Sequence, residues 1–386
     1  MSLKGKSLIS LSDFSQEQIL RLLDLAEETA QAINFDGDGH RAPVEPLDCI
    51  VATLFYEPST RTRLSFESAM LRLGGQVLGF AEASSSSAAK GETLADTARM
   101  ISAYADIIVI RHPLAGSAQV VSEFATVPVI NAGDGAREHP TQTLTDLFCI
   151  RRELGTLSGL KIGLAGDLKY GRTVHSLAPV MAQFGSDVVC ISPEQLRMPG
   201  EILDKVRAAG KQVTETDSLQ SAIADVDVLY MTRIQRERFP SEAEYEAVKG
   251  CCVLTPELMA LAKEGMRVLH PLPRVDEIET GVDGDRRAAY FRQAAGGVPV
   301  RMALMALLLG LPRADDQPAR QGAGFGQSYA AAQTATAPQA QAEKTVSGPR
   351  CTNAKCINNV ETHLEPRYYE RSNGLVCAYC EMARDG

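Results

Sequence analysis

The stretch Cys49-Ile50-Val51-Ala52-Thr53-Leu54-Phe55-Tyr56-Glu57-Pro58-Ser59-Thr60-Arg61-Thr62-Arg63-Leu64 decides the fold. Its first eight residues are largely apolar and β-branched, the pattern of a buried strand. Glu57-Pro58-Ser59 ends the run, and from Leu64 to Leu73 apolar positions recur at helical spacing. Strand, loop and helix in succession build parallel sheets. The same alternation continues with a helix from Thr93 to Tyr104, strands at Asp106–Ile110 and Val127–Ile130, and a helix from Thr141 to Leu154. Upstream, Ile19, Leu22, Leu23, Leu25 and Ala26 outline one amphipathic helix between Asp13 and Ile33, with Ser15 as its cap.

A second series opens at Leu160 with LKIGLAGD, then a helix from Thr173 to Phe184 and strands at Asp187–Ile191, Asp227–Met231 and Met266–Leu269. The expected architecture is α/β: two open parallel-sheet domains, residues 1-140 and 141-296, with the active site between them. The apolar segment Val300 to Gly310 reads as one more helix, and residues 297-312 are expected to complete the first domain. After Pro312 the composition turns to Ala, Gln and Gly, so residues 313-349 read as a flexible linker. Such a coil spans roughly 30 to 35 Å. Residues 350-386 are too few to fold on apolar burial alone and need a staple.

The 386 residues are 45% apolar and 23% charged, an ordinary globular balance. A net charge of −9 argues against a broad basic face for nucleic acid. The apolar run Met302 to Leu309 is far short of the roughly 20 residues that span a membrane, and the first residues lack a signal peptide's apolar core. A soluble, cytoplasmic protein is therefore expected, with neither nucleic acid nor membrane as partner. Nine cysteines are too sparse for a disulfide scaffold, yet Cys351, Cys356, Cys377 and Cys380 form two close pairs. That layout suits a closed, structural zinc ribbon-like module with four thiolate ligands. Disulfides and a redox Cys-x-x-Cys are the alternatives, the second lacking a surrounding βαβ pattern. Cys49, Cys149, Cys190, Cys251 and Cys252 lie in apolar segments and read as buried.

Pro58-Ser59-Thr60-Arg61-Thr62-Arg63 places hydroxyls, guanidinium and unpaired N–H groups at a helix start, a combination suited to phosphate. A hydroxyl-rich cap followed by solvated arginines is the bland alternative. Arg111-His112-Pro113 follows the strand ADIIVI, and His139-Pro140-Thr141-Gln142-Thr143 follows VPVINAG, so both stand at strand carboxyl ends, where open α/β sheets bind ligands. His139 can donate to a carbonyl oxygen or hold a proton near neutrality, or simply cap a helix. Gly166 to Arg172 lacks the G-x-G-x-x-G spacing, so no dinucleotide is expected. Arg233, Gln235 and His270-Pro271-Leu272-Pro273-Arg274 again stand at strand ends.

Taken together, PSTRTRLSFE, KGETLADT, IRHP, NAGDGAREHPTQTLTDLF, GDLKYGRTVHS, YMTRIQRER and LHPLPRVDEI closely resemble the catalytic chains of the aspartate carbamoyltransferase family, over residues 4 to 312. Ornithine carbamoyltransferases share the first motif but carry His-Cys-Leu-Pro where this chain has His270-Pro271-Leu272-Pro273. That difference, Arg233-x-Gln235 and a cationic pocket from Arg172, Arg233 and Arg274 favour aspartate as acceptor. The resemblance implies carbamoyl transfer from carbamoyl phosphate to the aspartate amine, giving N-carbamoyl-L-aspartate for pyrimidine biosynthesis, with no cofactor for catalysis. It implies that Ser59, Thr60, Arg61 and Thr62 hold the phosphate, and that Thr62, Arg111 and His139 polarise the carbonyl oxygen. Gln142 and the backbone at Leu272 and Pro273 would orient the carbamoyl amine, and Arg172, Arg233 and Gln235 would clamp the aspartate carboxylates.

In this family the loop matching Ser84 to Gly91 reaches a neighbouring subunit's site. A homotrimer, or a larger assembly of trimers, is therefore implied, with Ser86 and Lys90 contributed across the interface. Ala88 and Ala89 stand where the family often has glycine and a further basic residue. The cysteine tail resembles the zinc domain of the family's regulatory chain, without the nucleotide-binding domain that precedes it there. Docking of the tail on a catalytic domain, its own or a neighbour's, is expected, with no nucleotide control. The competing readings are an ornithine-type acceptor, a catalytically weak scaffold for a dihydroorotase or regulatory chain, and a zinc-ribbon nucleic-acid binder.

Overall fold

Ile50–Phe55 forms β1, and Val51, Ala52, Leu54 and Phe55 within it are fully buried. Burial on both faces explains why this strand reads as a continuous apolar run, as inner parallel strands do. In the computed structural model, which describes residues 2–33, 35, 47–234, 239, 241–311, 344–371 and 374–383, the chain divides into two compact units. The first unit comprises Met1–Phe14, Asp24–Pro140 and Arg301–Gly386, and the second Ser15–Leu23 and Thr141–Val300.

The first unit carries a four-stranded parallel sheet of order β2-β1-β3-β4, with β2 at Gln76–Phe80, β3 at Ile107–His112 and β4 at Val129–Asp134. From β1 the chain steps to one neighbour and then crosses to the other, so the strand order reverses between β1 and β3. The carboxyl ends of these two strands flank the crevice in which doubly wound sheets seat ligands. Phe55 pairs there with Arg111, and the Tyr56 N–H donates to the Arg111 carbonyl at 2.8 Å.

The second unit carries a five-stranded parallel sheet of order β7-β6-β5-β8-β9. Its strands are β5 at Lys161–Ala165, β6 at Asp187–Ile191, β7 at Val213–Thr216, β8 at Val228–Met231 and β9 at Arg267–Leu269. The order reverses between β5 and β8, where Ala165 pairs with Met231. Gly166 lies there with φ of 107°, and a Cβ on it would stand 2.3 Å from the Thr232 carbonyl oxygen. Only glycine allows the two strand ends to approach so closely.

A small antiparallel sheet, with β10 at Thr345–Ser347, β11 at Arg367–Arg371 and β12 at Gly374–Cys377, carries the cysteine module. Residues 312–343 lie outside the described residues, and β10 falls within the segment whose composition reads as linker. The module belongs to the first unit, and Cys351, Cys356, Ile357, Leu364, Tyr368 and Tyr379 share one apolar cluster with Leu94, Ala115, Ala118 and Val121. The Ala115 N–H donates to the Lys355 carbonyl at 3.1 Å, and Ile357 N–H to the Ala115 carbonyl at 3.0 Å. Glu361 accepts from the Leu94 N–H at 3.0 Å, at the start of the helix Leu94–Ser102, and Arg367 reaches both Glu123 oxygens at 2.8 and 2.6 Å. Among the described residues no helix is long and apolar enough to cross a membrane.

Candidate active site

Glu57-Pro58-Ser59 turns the chain out of β1 into the helix Thr60–Arg72, so its first turn opens at the β1–β3 crevice. Ser59 occupies the cap position with extended backbone, yet its hydroxyl makes no capping hydrogen bond. The first-turn N–H groups have no carbonyl partner within the helix and carry its positive dipole end. The two arginines of the motif differ. Arg63 is committed, its Nε donating to Glu67 at 2.7 Å, and Thr53 Oγ1 donates to the same carboxylate at 3.1 Å. Arg61 is exposed and has no ion-pair partner among the described residues, and partial burial pulls its guanidinium below the ordinary value. A cation set beside a helix start without a carboxylate is ready for an external anion. Thr62 is buried on the inner side of the same turn.

Arg111, next to last in β3, stands beside this turn, with Nη2 3.3 Å from Glu57 Oε1 and Nη1 donating to the Ala132 carbonyl at 3.4 Å. Its Nη1 also stands 3.5 Å from His139 Nε2. A guanidinium only donates, so Nε2 is the acceptor and neutral His139 carries its proton on Nδ1. His139 is buried immediately before the helix Pro140–Leu154. The neighbouring His112 is structural: its Nδ1 accepts from Leu114 N–H at 3.1 Å and lies 2.8 Å from Ser117 Oγ, and its ring packs 4.8 Å from that of Tyr56. Burial pulls it down to about 4, so it stays neutral.

Ser86 and Lys90 make local contacts of their own. Ser86 Oγ donates to the Ala83 carbonyl at 2.8 Å and accepts from Ala88 N–H at 3.3 Å, while Lys90 is exposed at the end of a short turn closed by Gly91. No hydrogen bond or ion pair joins either to Arg61, Arg111 or His139 among the described residues.

In the second unit Arg172 is buried as the first residue of the helix Arg172–Gln183, and Arg233 is half-buried beyond β8, so both stand at that sheet's own reversal point. Gln235 lies outside the described residues. Arg274 does not extend this cationic pair as the sequence suggested. It is held by both oxygens of Asp283 and by the Tyr290 hydroxyl at 3.1 Å, over the Tyr290 and Phe291 rings. Leu272 adopts φ of 47°, and its peptide to Pro273 is cis.

Sequence reading missed the buried network behind these residues. Asp146 accepts from Gln142 Nε2 at 2.8 Å, Gln293 Nε2 at 2.6 Å and the Tyr230 hydroxyl at 3.0 Å. Gln293 Oε1 in turn accepts from the His270 N–H at 2.8 Å, and His270 Nδ1 accepts from the Leu272 N–H at 2.7 Å. With Nδ1 accepting, His270 Nε2 donates to Glu277 at 2.5 Å. The chain of bonds fixes Gln142 and the Leu272-Pro273 backbone from within the unit. The i, i+4 spacing of Gln142 and Asp146 was the available signal, whereas nothing local marks Gln293.

The four module cysteines are buried, and their sulfur atoms all lie within 4.8 Å of one another. Cys351 and Cys380 sulfurs are 3.5 Å apart and Cys356 and Cys377 sulfurs 3.8 Å, so neither pair is a disulfide. A tetrahedral ion with Zn–S bonds of ~2.3 Å sets sulfurs about 3.8 Å apart, so the donor set is compatible with structural zinc.

Residues 6–152 match the family described as "Aspartate/ornithine carbamoyltransferase, carbamoyl-P binding domain", and residues 158–308 its "Asp/Orn binding domain". The chain is 55% identical over 311 residues to the aspartate carbamoyltransferase catalytic subunit of Thermococcus kodakarensis, covering 81% of this chain and 99% of that one. The Methanosarcina barkeri catalytic subunit is 52% identical over 311 residues, with 81% and 99% covered. Among solved structures, the catalytic subunit of M. jannaschii aspartate transcarbamoylase superposes with a TM-score of 0.73 at 49% identity, covering 79% of this chain and 98% of that one. The Trypanosoma cruzi enzyme in complex with N-(phosphonacetyl)-L-aspartic acid gives 0.74 at 42%, covering 80% and 97%. Both family matches end before the cysteine module.

Proposed function

Since the chain belongs to the aspartate/ornithine carbamoyltransferase family, we propose that it transfers the carbamoyl group of carbamoyl phosphate to the amine of L-aspartate, in pyrimidine biosynthesis. The observation that carries this reading is the identity of half or more of the residues with aspartate-specific catalytic subunits along both units. The amine nitrogen attacks the carbonyl carbon, negative charge gathers on the carbonyl oxygen, and the bond to phosphate oxygen breaks as the nitrogen's proton passes to the departing phosphate.

In the first unit, Arg61, the hydroxyls of Ser59, Thr60 and Thr62, and the helix start bind the phosphate. Arg111, Thr62 and His139 take the developing charge on the carbonyl oxygen. In the second unit, Gln142 and the Leu272-Pro273 backbone orient the carbamoyl amine, while Arg172, Arg233 and Gln235 hold the two carboxylates. No cofactor enters this chemistry. Positioning alone supplies up to about 7 to 11 kcal/mol in such two-substrate reactions.

Lys90, exposed and without an ion-pair partner among the described residues, fits a residue that completes a neighbour's site together with Ser86, which makes a homotrimer or an assembly of trimers the active form. The four-cysteine module fits a structural zinc site resembling that of the family's regulatory chain. Steady-state transfer tests the reading. With carbamoyl phosphate the unaltered chain should turn over L-aspartate, and Arg61→Ala should lose at least about a hundredfold. Mixing inactive Lys90→Ala and Arg61→Ala chains should restore part of the activity. No turnover by the unaltered chain would favour a scaffold, and no recovery on mixing would remove the shared site.

A further inference from the structure

The connection from β4 to the helix Pro140–Leu154 holds an ion cluster that carbamoyl transfer does not use directly. Arg137 stands two residues before His139, and its side chain is only 7% exposed. Its Nη1 lies 3.6 Å from Asp134 Oδ2, and its Nη2 donates to the carboxylate of Glu381, the residue following Cys380 in the cysteine module. Glu381 adopts φ of 58°, a left-handed conformation uncommon for a residue bearing a Cβ. A backbone held there while its side chain reaches a buried cation marks an imposed constraint.

Asp134 is already heavily shared. Its Oδ2 accepts from Gly116 N–H at 2.9 Å, and its Oδ1 from Asn131 Nδ2 at 2.9 Å and Glu138 N–H at 3.4 Å. Glu381 adds a carboxylate to a buried guanidinium that also faces Asp134 and Glu138, and it comes from 244 positions further along the chain. The Arg137 N–H donates to the Asp134 carbonyl at 3.1 Å, so side-chain and backbone placement of the 134–139 connection are set together. His139 is its last residue.

We propose that the Arg137–Glu381 pair is a positioning device through which the cysteine module sets His139 for the carbonyl oxygen of carbamoyl phosphate. Neither residue touches the reacting atoms, and the inference rests on the role given to His139 above. The module is then part of the catalytic unit's working geometry, and its contribution is felt at carbamoyl phosphate.

The test uses the full-length, zinc-reconstituted chain with Glu381→Gln, which keeps the side-chain size and removes the charge. Its kcat/KM for carbamoyl phosphate should fall about ten- to a hundredfold, the cost of a small misplacement. Zinc content should stay at the unaltered value, Tm should fall because the buried Arg137 loses one of its carboxylates, and Glu381→Asp should recover part of the kinetic loss. Arg137→Gln combined with Glu381→Gln should be no worse than Arg137→Gln alone, because the two act as one unit. Unaltered kinetics in Glu381→Gln, or additive losses in the double variant, would overturn the inference while leaving the function intact. A loss that tracks departure of zinc would reduce the pair to a structural clasp and overturn it too. If the unaltered chain itself fails to carbamoylate aspartate, the functional reading falls and takes this inference with it.

Discussion

Gly116→Ala tests whether the cysteine module is seated on the first unit as described. Gly116 caps the helix Ser117–Phe124 with φ of 87°. A Cβ there would stand 2.6 Å from the Tyr379 carbonyl oxygen and 2.8 Å from its carbonyl carbon. The left-handed conformation costs a side chain about 1 to 2 kcal/mol. Pushing backbone apart in a packed interface adds about 1 to 3 kcal/mol. The expected destabilisation is thus about 2 to 5 kcal/mol in urea unfolding of the full chain. Gly5→Ala provides the control in the same unit, since Gly5 has φ of 77° but nothing within 4 Å of its would-be Cβ. It should show the conformational cost alone, about 1 to 2 kcal/mol. Equal losses in the two variants would refute the argument, because the extra cost exists only if Tyr379 lies against Gly116 in solution.

Asp146→Ala leaves three donors, two of them buried, without their acceptor and should destabilise the second unit by about 3 to 5 kcal/mol in urea unfolding; a loss under about 1 kcal/mol would dissolve the network. His112, pulled down to about 4 from an ordinary value of 6.5, stays neutral in the fold while the unfolded chain takes up its proton. Its contribution is therefore present above pH 6.5 and lost as pH falls towards 4, by up to roughly 3 kcal/mol. Unfolding curves across that range should flatten in His112→Gln, and parallel slopes would contradict the assignment. Stripping the zinc proposed for the four-cysteine module with a chelator should lower the melting temperature of the first unit, since those cysteines share its apolar cluster. Unchanged melting after complete metal loss would count against that shared core.

Strands that are buried on both faces were legible because their apolar runs are continuous. Cys49–Tyr56 and LKIGLAGD became β1 and β5 within a residue or two. The edge strands β2 and β7 were not, since QVLGF and VTET are short, only partly buried, and one contains a glycine. The last helix of the first 311 residues begins at Tyr290, ten residues before its apolar run, because Gly296, Gly297 and Pro299 obscure the helical pattern. Gly296 is tolerated where a Cβ would meet the Phe148 ring at 3.1 Å. Among the candidate residues, Arg61, Arg111 and His139 stand in local motifs near the carboxyl ends of strands, which is why the sequence singles them out. Their supports could not be read this way. Asp146, Gln293 and Glu277 act on residues far away or across the sheet, and Glu381 meets Arg137 only through the folded module. Arg274 was misread because a cation at a strand end looks the same in sequence whether or not an Asp283 stands opposite.

The most direct measurement of the central claim is a competition in one vessel. The purified full-length chain receives carbamoyl phosphate labelled with carbon-13 in its carbonyl, together with equimolar L-aspartate and L-ornithine, and the products are followed by NMR. Appearance of labelled N-carbamoyl-L-aspartate with stoichiometric phosphate, and no labelled citrulline, is the predicted result. Labelled citrulline as the main product, or consumption of carbamoyl phosphate at no more than its spontaneous rate, would contradict the account.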